Sequence, residues 1–361
     1  MDEEQKQIIY KISEALTTLD NNIITTPIPT NLETELEKFS NSSINNPVFS
    51  YKDKNLDLKL FGNISSDIED MITSSKLEEE SKKYFLANLD YLKNNFNAAY
   101  YIGKDDDEFY KYHKELYPLV EFVEFTPVLS KRTTELFGAE YIKNYFEEVL
   151  KLNEVEGLVQ IVIDNDRKAK IGVGKDGKVI ISGNISRTRE DIERLAVHEV
   201  LTHSLRLINN KDTKLPHIEK RLAKDYLLFE EGLAVFNEVC SKTITEEAWN
   251  KYILRYNLIT KPQTNSFRDI YNNLKDLGQT DATAFETVYR IKRGLIDTST
   301  SKFFRKDTLY YRGFHVINDA IKAKSNEHRD LYIGKVTFRD IEFIKSIFGV
   351  VSPKFLPSFL K

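Results

Sequence analysis

The chain has 361 residues, 41% of them hydrophobic and 30% charged, with a formal net charge of −4. That is enough for one large domain or two smaller ones with a sizeable core. It excludes a global field that favours nucleic acid, and no dense Lys/Arg run supplies a local one. The single cysteine, Cys240, excludes an intramolecular disulfide and a cysteine-built zinc site. No stretch of 18 or more apolar residues occurs, so no membrane span is expected.

The start, Met1-Asp2-Glu3-Glu4, is acidic and lacks the basic opening and apolar run of a signal peptide, so a cytoplasmic location is expected. Residues 3–20 carry Ile8, Ile9, Ile12, Ala15, Leu16 and Leu19 at helical spacing, and Pro27 and Pro29 end the pattern. Residues 31–40 and 64–97 also read as helices, the second split around Ser74-Ser75. Asp105-Asp106-Asp107 reads as a solvated turn or helix start, and residues 133–152 as a helix opened by Thr133 or Thr134.

The period then changes. Residues 158–163 read as a strand, and 170–173 and 178–181 as two more around the turn Lys175-Asp176-Gly177. Thr188 with Asp191 has the form of a capping box, opening a helix through Leu205. A further helix is expected over about 219–240, and the rest is mostly helical. The fold class is therefore α+β: mostly helical, with a small mixed sheet beside the helix at 188–205. The expected division is an N-terminal helical region, 1–125, and a catalytic domain, 126–361, with a soft boundary.

His198, Glu199 and His203 form His-Glu-x-x-x-His. On a regular α-helix, positions i and i+5 diverge by roughly 140°, too far apart to share an ion. A π-type widening absorbs one residue per turn and restores a common side, and such bulges cluster at functional sites. The spacing therefore predicts a π-type widening within 198–204. A catalytic zinc needs a third protein ligand and an open position. Phe229-Glu230-Glu231-Gly232-Leu233-Ala234 offers it on a second helix, 231 − 203 = 28 residues on. Glu231 is favoured over Glu230, with the other glutamate left to support a histidine N–H. Glu199 follows a ligand directly and is placed to act as general base. The competing reading is two histidines and two acids on solvated helix surfaces.

These segments resemble a known family. His198-Glu-Val-Leu-Thr-His-Ser-Leu-Arg206 and Glu230-Glu-Gly-Leu-Ala234 resemble motifs of the microtubule-associated tyrosine carboxypeptidase family and its bacterial relatives with a Gln- or Glu-Glu-Gly-Leu-Ala motif. A third block, Tyr289-Arg290-Ile-Lys-Arg293-Gly294-Leu-Ile-Asp297-Thr298-Ser299 followed by Asp307-Thr-Leu-Tyr310-Tyr-Arg-Gly313, is similar too. The likeness covers roughly residues 155–320. It implies a gluzincin-like metallopeptidase with one Zn2+ per chain, held by His198, His203 and Glu231, with Glu199 as the catalytic carboxylate. Eukaryotic members remove a C-terminal tyrosine from tubulin. The chain departs from the family at Leu201, where glycine is common, and at Leu215-Pro216, where Gln-Pro is common; both bear on substrate preference rather than on the metal site.

The expected function is a zinc carboxypeptidase acting on a protein or peptide C-terminus, with tyrosine or another aromatic residue removed. A zinc endopeptidase and a binding or regulatory protein on a peptidase scaffold are the alternatives; no nucleic-acid or membrane partner is expected. A carboxypeptidase must hold a free carboxylate, which an arginine does bidentately. Arg290 and Arg293 are the candidates, with Arg206 behind them, and Tyr310 is the candidate oxyanion donor. Asp297, Thr298 and Ser299 are expected to form a turn that positions the arginines. Residues 178–183 are the candidate edge strand for substrate strand addition. The aromatic clusters Tyr100-Tyr101 and Phe122 with Phe125 read mainly as core.

Overall fold

A computed structural model of the chain describes residues 1–19, 26–122, 125–130, 133–166, 171–174, 176–262, 265–323 and 327–360. The fold is α+β and mostly helical, and no helix among the described residues is long and apolar enough to cross a membrane. The chain forms two compact units, each assembled from separate segments. One comprises Met1–Glu14, Phe122–Lys251 and Tyr310–Lys361; the other comprises Ala15–Glu121 and Tyr252–Leu309. The units thus interleave along the sequence instead of following one another across residue 125.

The second unit is helical. Its helices include Leu32–Ser40, Leu58–Ser74, Glu79–Tyr101, Asp106–Leu116, Phe267–Asp276 and Asp281–Lys292. Asp57 and Asp105 begin two of them by accepting hydrogen bonds from the second and third helical N–H groups, so the aspartate run at 105–107 is a helix start. Phe39, Phe49, Phe267, Phe285 and Val288 lie in its core, where the rings of Phe39 and Phe267 meet edge to face at 5.0 Å.

Among the described residues the first unit carries five short strands: β1 (Phe137–Gly138), β2 (Ile161–Asp164), β3 (Ile171–Val173), β4 (Val179–Ser182) and β5 (Ser186–Arg187). β1 and β5 pair with each other. This pairing keeps the chain extended through Gly138, so the following helix opens at Ala139 and not at Thr133 or Thr134; the Thr133 hydroxyl instead bonds Glu190 at 3.0 Å. β2 pairs parallel to β4 and β3 antiparallel to β4, giving the order β2-β4-β3. β4 is therefore central, and the expected edge strand at 178–183 is corrected: its hydrogen-bonding groups face neighbours on both sides. Lys170 and Lys175, part of the expected hairpin, lie outside the described residues, as does Asp20 at the end of the first expected helix.

The sheet and the helix Ala139–Leu152 pack against a long helical run that begins at Arg189. Its N-cap is Thr188, whose hydroxyl accepts from the Asp191 N–H. The expected helix over 219–240 is broken. A short helix, Pro216–Glu219, ends in a turn where Arg221 and Asp225 both take left-handed backbone conformations, and a new helix runs from Tyr226 to Cys240.

Candidate metal centre

Between Ala196 and Ser204 the long helix widens into a π-helix, flanked by α-helix at Arg189–Leu195 and Leu205–Asn209. The Thr202 hydroxyl donates to the Val197 carbonyl at 2.8 Å and the Ser204 hydroxyl to the Glu199 carbonyl at 2.9 Å, both spanning five residues. The widening puts His198 and His203 on one side, with ring centroids 4.7 Å apart and planes at 88°. All nine residues of the π segment are buried.

The helix Tyr226–Cys240 packs against that segment and presents Glu231 to it. One Glu231 carboxylate oxygen lies 3.6 Å from His198 Nε2 and 3.7 Å from His203 Nε2. The three potential ligand atoms all fall within 4.8 Å of one another. A tetrahedral zinc with ligands at about 2.1 Å would separate them by roughly 3.4 Å, so these spacings fit one small cation with little adjustment. Two imidazoles and one carboxylate also match a donor set used by catalytic zinc.

Each histidine is fixed through its other nitrogen. His198 Nδ1 donates to Glu238 at 2.6 Å, and Glu238, fully buried, also accepts from Arg194 at 2.9 Å. His203 Nδ1 lies 2.7 Å from Glu230, off the line that a good hydrogen bond needs. Glu230 is thus not a ligand candidate in this geometry but a buried anion clamped by Arg206 and Lys335. Lys335 also donates to the His203 carbonyl at 2.9 Å.

The electrostatics favour a cation among these groups. Burial works against a charge on His198, yet Glu231 and Glu238 push its pKa up to about 10. Burial likewise opposes charge on His203, but Glu230 raises its pKa. Burial would raise Glu231, and the two imidazoles nevertheless hold it well below the usual carboxylate range. Lys335, Arg206 and His203 do the same for Glu230 against its burial. Carboxylates that draw protons onto imidazoles this strongly are placed to draw a divalent ion instead.

Glu199 and Tyr310 face the same space. A cavity of about 270 Å³ is lined by His198, Glu199, His203, Glu231, Tyr310, Arg221, Lys335 and the β3 end, Gly172 to Gly174. The Tyr310 ring lies 6.5 Å from the His198 ring, at 27°. It reaches this position because its helix, Leu309–Ala323, crosses the Glu231 helix at a pair of glycines, Gly232 and Gly313. Gly232 is required by this close approach of two backbones.

The arginine expectations fare differently. Arg206 is fully buried, and its guanidinium donates to Glu230 and to the Leu331, Gly334 and Val336 carbonyls. It braces the site from behind, and the expected substrate role is corrected. Arg290 and Arg293 belong to the other unit, where both bond Asp307, at 2.6 and 3.0 Å. Asp297 accepts from the Ser299 N–H in a tight turn and Thr298 bonds the Pro47 carbonyl; the acid that fixes the arginines is Asp307. Phe125 packs with Trp249 and Phe314, and Phe122 stacks on His315, while Tyr100 and Tyr101 meet edge to face.

Three contributors escaped the sequence reading: Glu238, Lys335 and Arg221. Glu238 had a signal, because 238 − 231 = 7 residues places it on the same helix face as Glu231, two turns on. The other three histidines of this unit serve elsewhere or pack: His217 bonds Ser13 at 2.6 Å, His328 bonds Asn237 at 2.8 Å, and His315 lies under Phe122.

A family model described as microtubule-associated tyrosine carboxypeptidase matches residues 37–361. The mouse protein named Microtubule-associated tyrosine carboxypeptidase 1 is 30% identical over 182 residues, 47% of this chain and 36% of its own length. The rat protein of that name is 30% identical over 177 residues and the human one 28% over 180, with the same shares covered. The matched part is thus little more than a third of each relative's length.

Proposed function

Because the chain belongs to the microtubule-associated tyrosine carboxypeptidase family, we propose that it is a zinc-dependent carboxypeptidase with a gluzincin-like site, removing one residue from the C-terminus of a protein or peptide. The observation that carries this reading is the convergence of His198, His203 and Glu231 on one point of a cavity that Glu199 also lines. The names of the relatives point to tyrosine as the residue removed. Cytoplasmic location belongs to the same proposal.

His198, His203 and Glu231 would hold one zinc. When bound, zinc would supply a Lewis acid and lower the pKa of a water in its open position. Glu199 takes the proton from the attacking water and delivers it to the leaving amine, the two proton transfers that amide hydrolysis requires. Tyr310, whose ring lies 6.5 Å from that of His198, donates its O–H to the carbonyl oxygen as negative charge develops there. Glu238 and Glu230 keep the imidazoles oriented, each carboxylate fixed by buried cations. β3 is the edge strand that reaches the cavity, and it takes over the role first expected of 178–183: a substrate backbone adds to it as a further strand. A cavity of about 270 Å³ suits one terminal residue better than a run of side chains.

Metal analysis of the purified chain beside Glu199→Gln tests this directly. Both are expected to carry about one zinc, and only the unsubstituted chain should trim peptides in a library read by mass spectrometry. A metal-free protein would end the zinc reading, and internal cleavage would replace the carboxypeptidase by an endopeptidase.

A further inference from the structure

A carboxypeptidase cavity needs a cation that is free to take the substrate's terminal carboxylate. Lys335 is not free, because Glu230 and the His203 carbonyl already hold its ammonium. Arg206, Arg290 and Arg293 likewise each hold an internal carboxylate. Arg221 differs. Its side chain lines the same cavity as the metal-ligand candidates and Glu199, it is half-buried, and among the described residues no carboxylate or other acceptor engages its guanidinium.

The backbone fixes Arg221 there. The short helix Pro216–Glu219 ends with the Leu222 N–H bonded to the His217 carbonyl and the Arg221 N–H bonded to the Ile218 carbonyl, at 2.8 Å each. That double closure puts the residue after the C-cap in the left-handed region, where glycine is the usual choice. Here the position is an arginine at φ 63°. A non-glycine residue at such a position is less favourable than glycine, and residues of this kind gather at binding sites. The guanidinium is planar and offers paired N–H donors, the geometry that a carboxylate accepts bidentately.

We propose that Arg221 receives the C-terminal carboxylate of the substrate, and so selects for chain ends; this rests on the carboxypeptidase reading above. The carboxylate would complete the ion pair that the fold leaves open, and would set the distance from the chain end to the bond beside Glu199.

The test compares a peptide ending in tyrosine as the free acid with its C-terminal amide. Arg221→Asn removes the cation with a residue that tolerates the left-handed backbone, and Arg221→Lys keeps the charge without the fork. The unsubstituted enzyme is expected to prefer the free acid. In Arg221→Asn, kcat/KM on the free acid should drop on the order of a hundredfold, as for truncation of a desolvated charge pair, so that the acid and amide rates converge. Arg221→Lys should fall between. A readout independent of turnover is calorimetric binding of N-acetyltyrosine and N-acetyltyrosinamide to Glu199→Gln, with and without Arg221→Asn; only the acid should lose affinity. If Arg221→Asn keeps the preference for the acid, the assignment is overturned and the carboxypeptidase reading stands. If the unsubstituted enzyme shows no such preference, both are overturned.

Discussion

Gly232 and Gly313 meet so closely that a Cβ on Gly232 would lie 2.5 Å from the Cα of Gly313, and a Cβ on Gly313 would lie 2.7 Å from the Cα of Gly232. Gly232 follows the ligand candidate Glu231, and Gly313 lies three residues after Tyr310. The crossing therefore sets the distance between the metal-side helix and the phenol. Replacing Gly313 by alanine should force the helices apart and destabilise the fold by about 1–3 kcal/mol, as overpacking does. Denaturant unfolding measures this directly. An unchanged midpoint would show that the crossing can relax.

Glu238 supports His198 from behind. Replacing it by alanine is expected to weaken zinc binding about 10- to 100-fold, the usual effect of removing such a partner. Competition against a chromophoric chelator gives the affinity. Glu238→Gln retains an acceptor and should lose less. Equal affinities in all three proteins would remove Glu238 from the site.

Arg206 distinguishes a brace from a substrate group. Its substitution by methionine leaves Glu230 buried with one cation fewer, a change expected to cost about 3–5 kcal/mol of stability. The measurement is again chemical unfolding, beside KM on a short peptide. A variant of normal stability with a raised KM would restore the substrate role that burial argues against.

Asp307 carries a pH dependence in the other unit. Burial would raise its pKa from 3.8, but Arg290, Arg293 and Arg255 hold it far below that value. The folded state thus binds this proton less readily than the unfolded chain. The stabilisation is complete above that ordinary value and is lost as the pH falls below it. Circular dichroism melts between pH 7 and pH 2 should show that decline. Asp307→Asn should flatten that acid limb and lower the neutral-pH stability. If the variant and the unsubstituted chain decline in parallel, Asp307 is not its source.

Much of the site was legible because chemistry constrains spacing. Two ligands five residues apart must share a side, so His198 and His203 required the widening that spans Ala196–Ser204. Glu231 was legible as a third ligand on a second helix, 28 residues after His203. The order of three short strands was not, since nothing in residues 178–183 distinguishes a central strand from an edge; pairing with β2 decides it. Arginine partners were hidden for a similar reason. Arg206 bonds carbonyls up to 130 residues downstream, and no local pattern announces such contacts. Arg221 was invisible because its significance lies in a backbone conformation and in the absence of a partner among the described residues.

The π segment also relates this chain to the shorter motif. Deleting Leu201 would give His-Glu-x-x-His, the shorter spacing that a regular helix accommodates. Because the widening absorbs that one residue, its loss would let the segment close to a regular turn and leave the downstream helix facing as before. Arg206 would keep the carbonyls at 331–336, and Asn209 those of Tyr332 and Phe355. The two motif lengths are therefore one residue apart in sequence and share the same packing on either side of the turn.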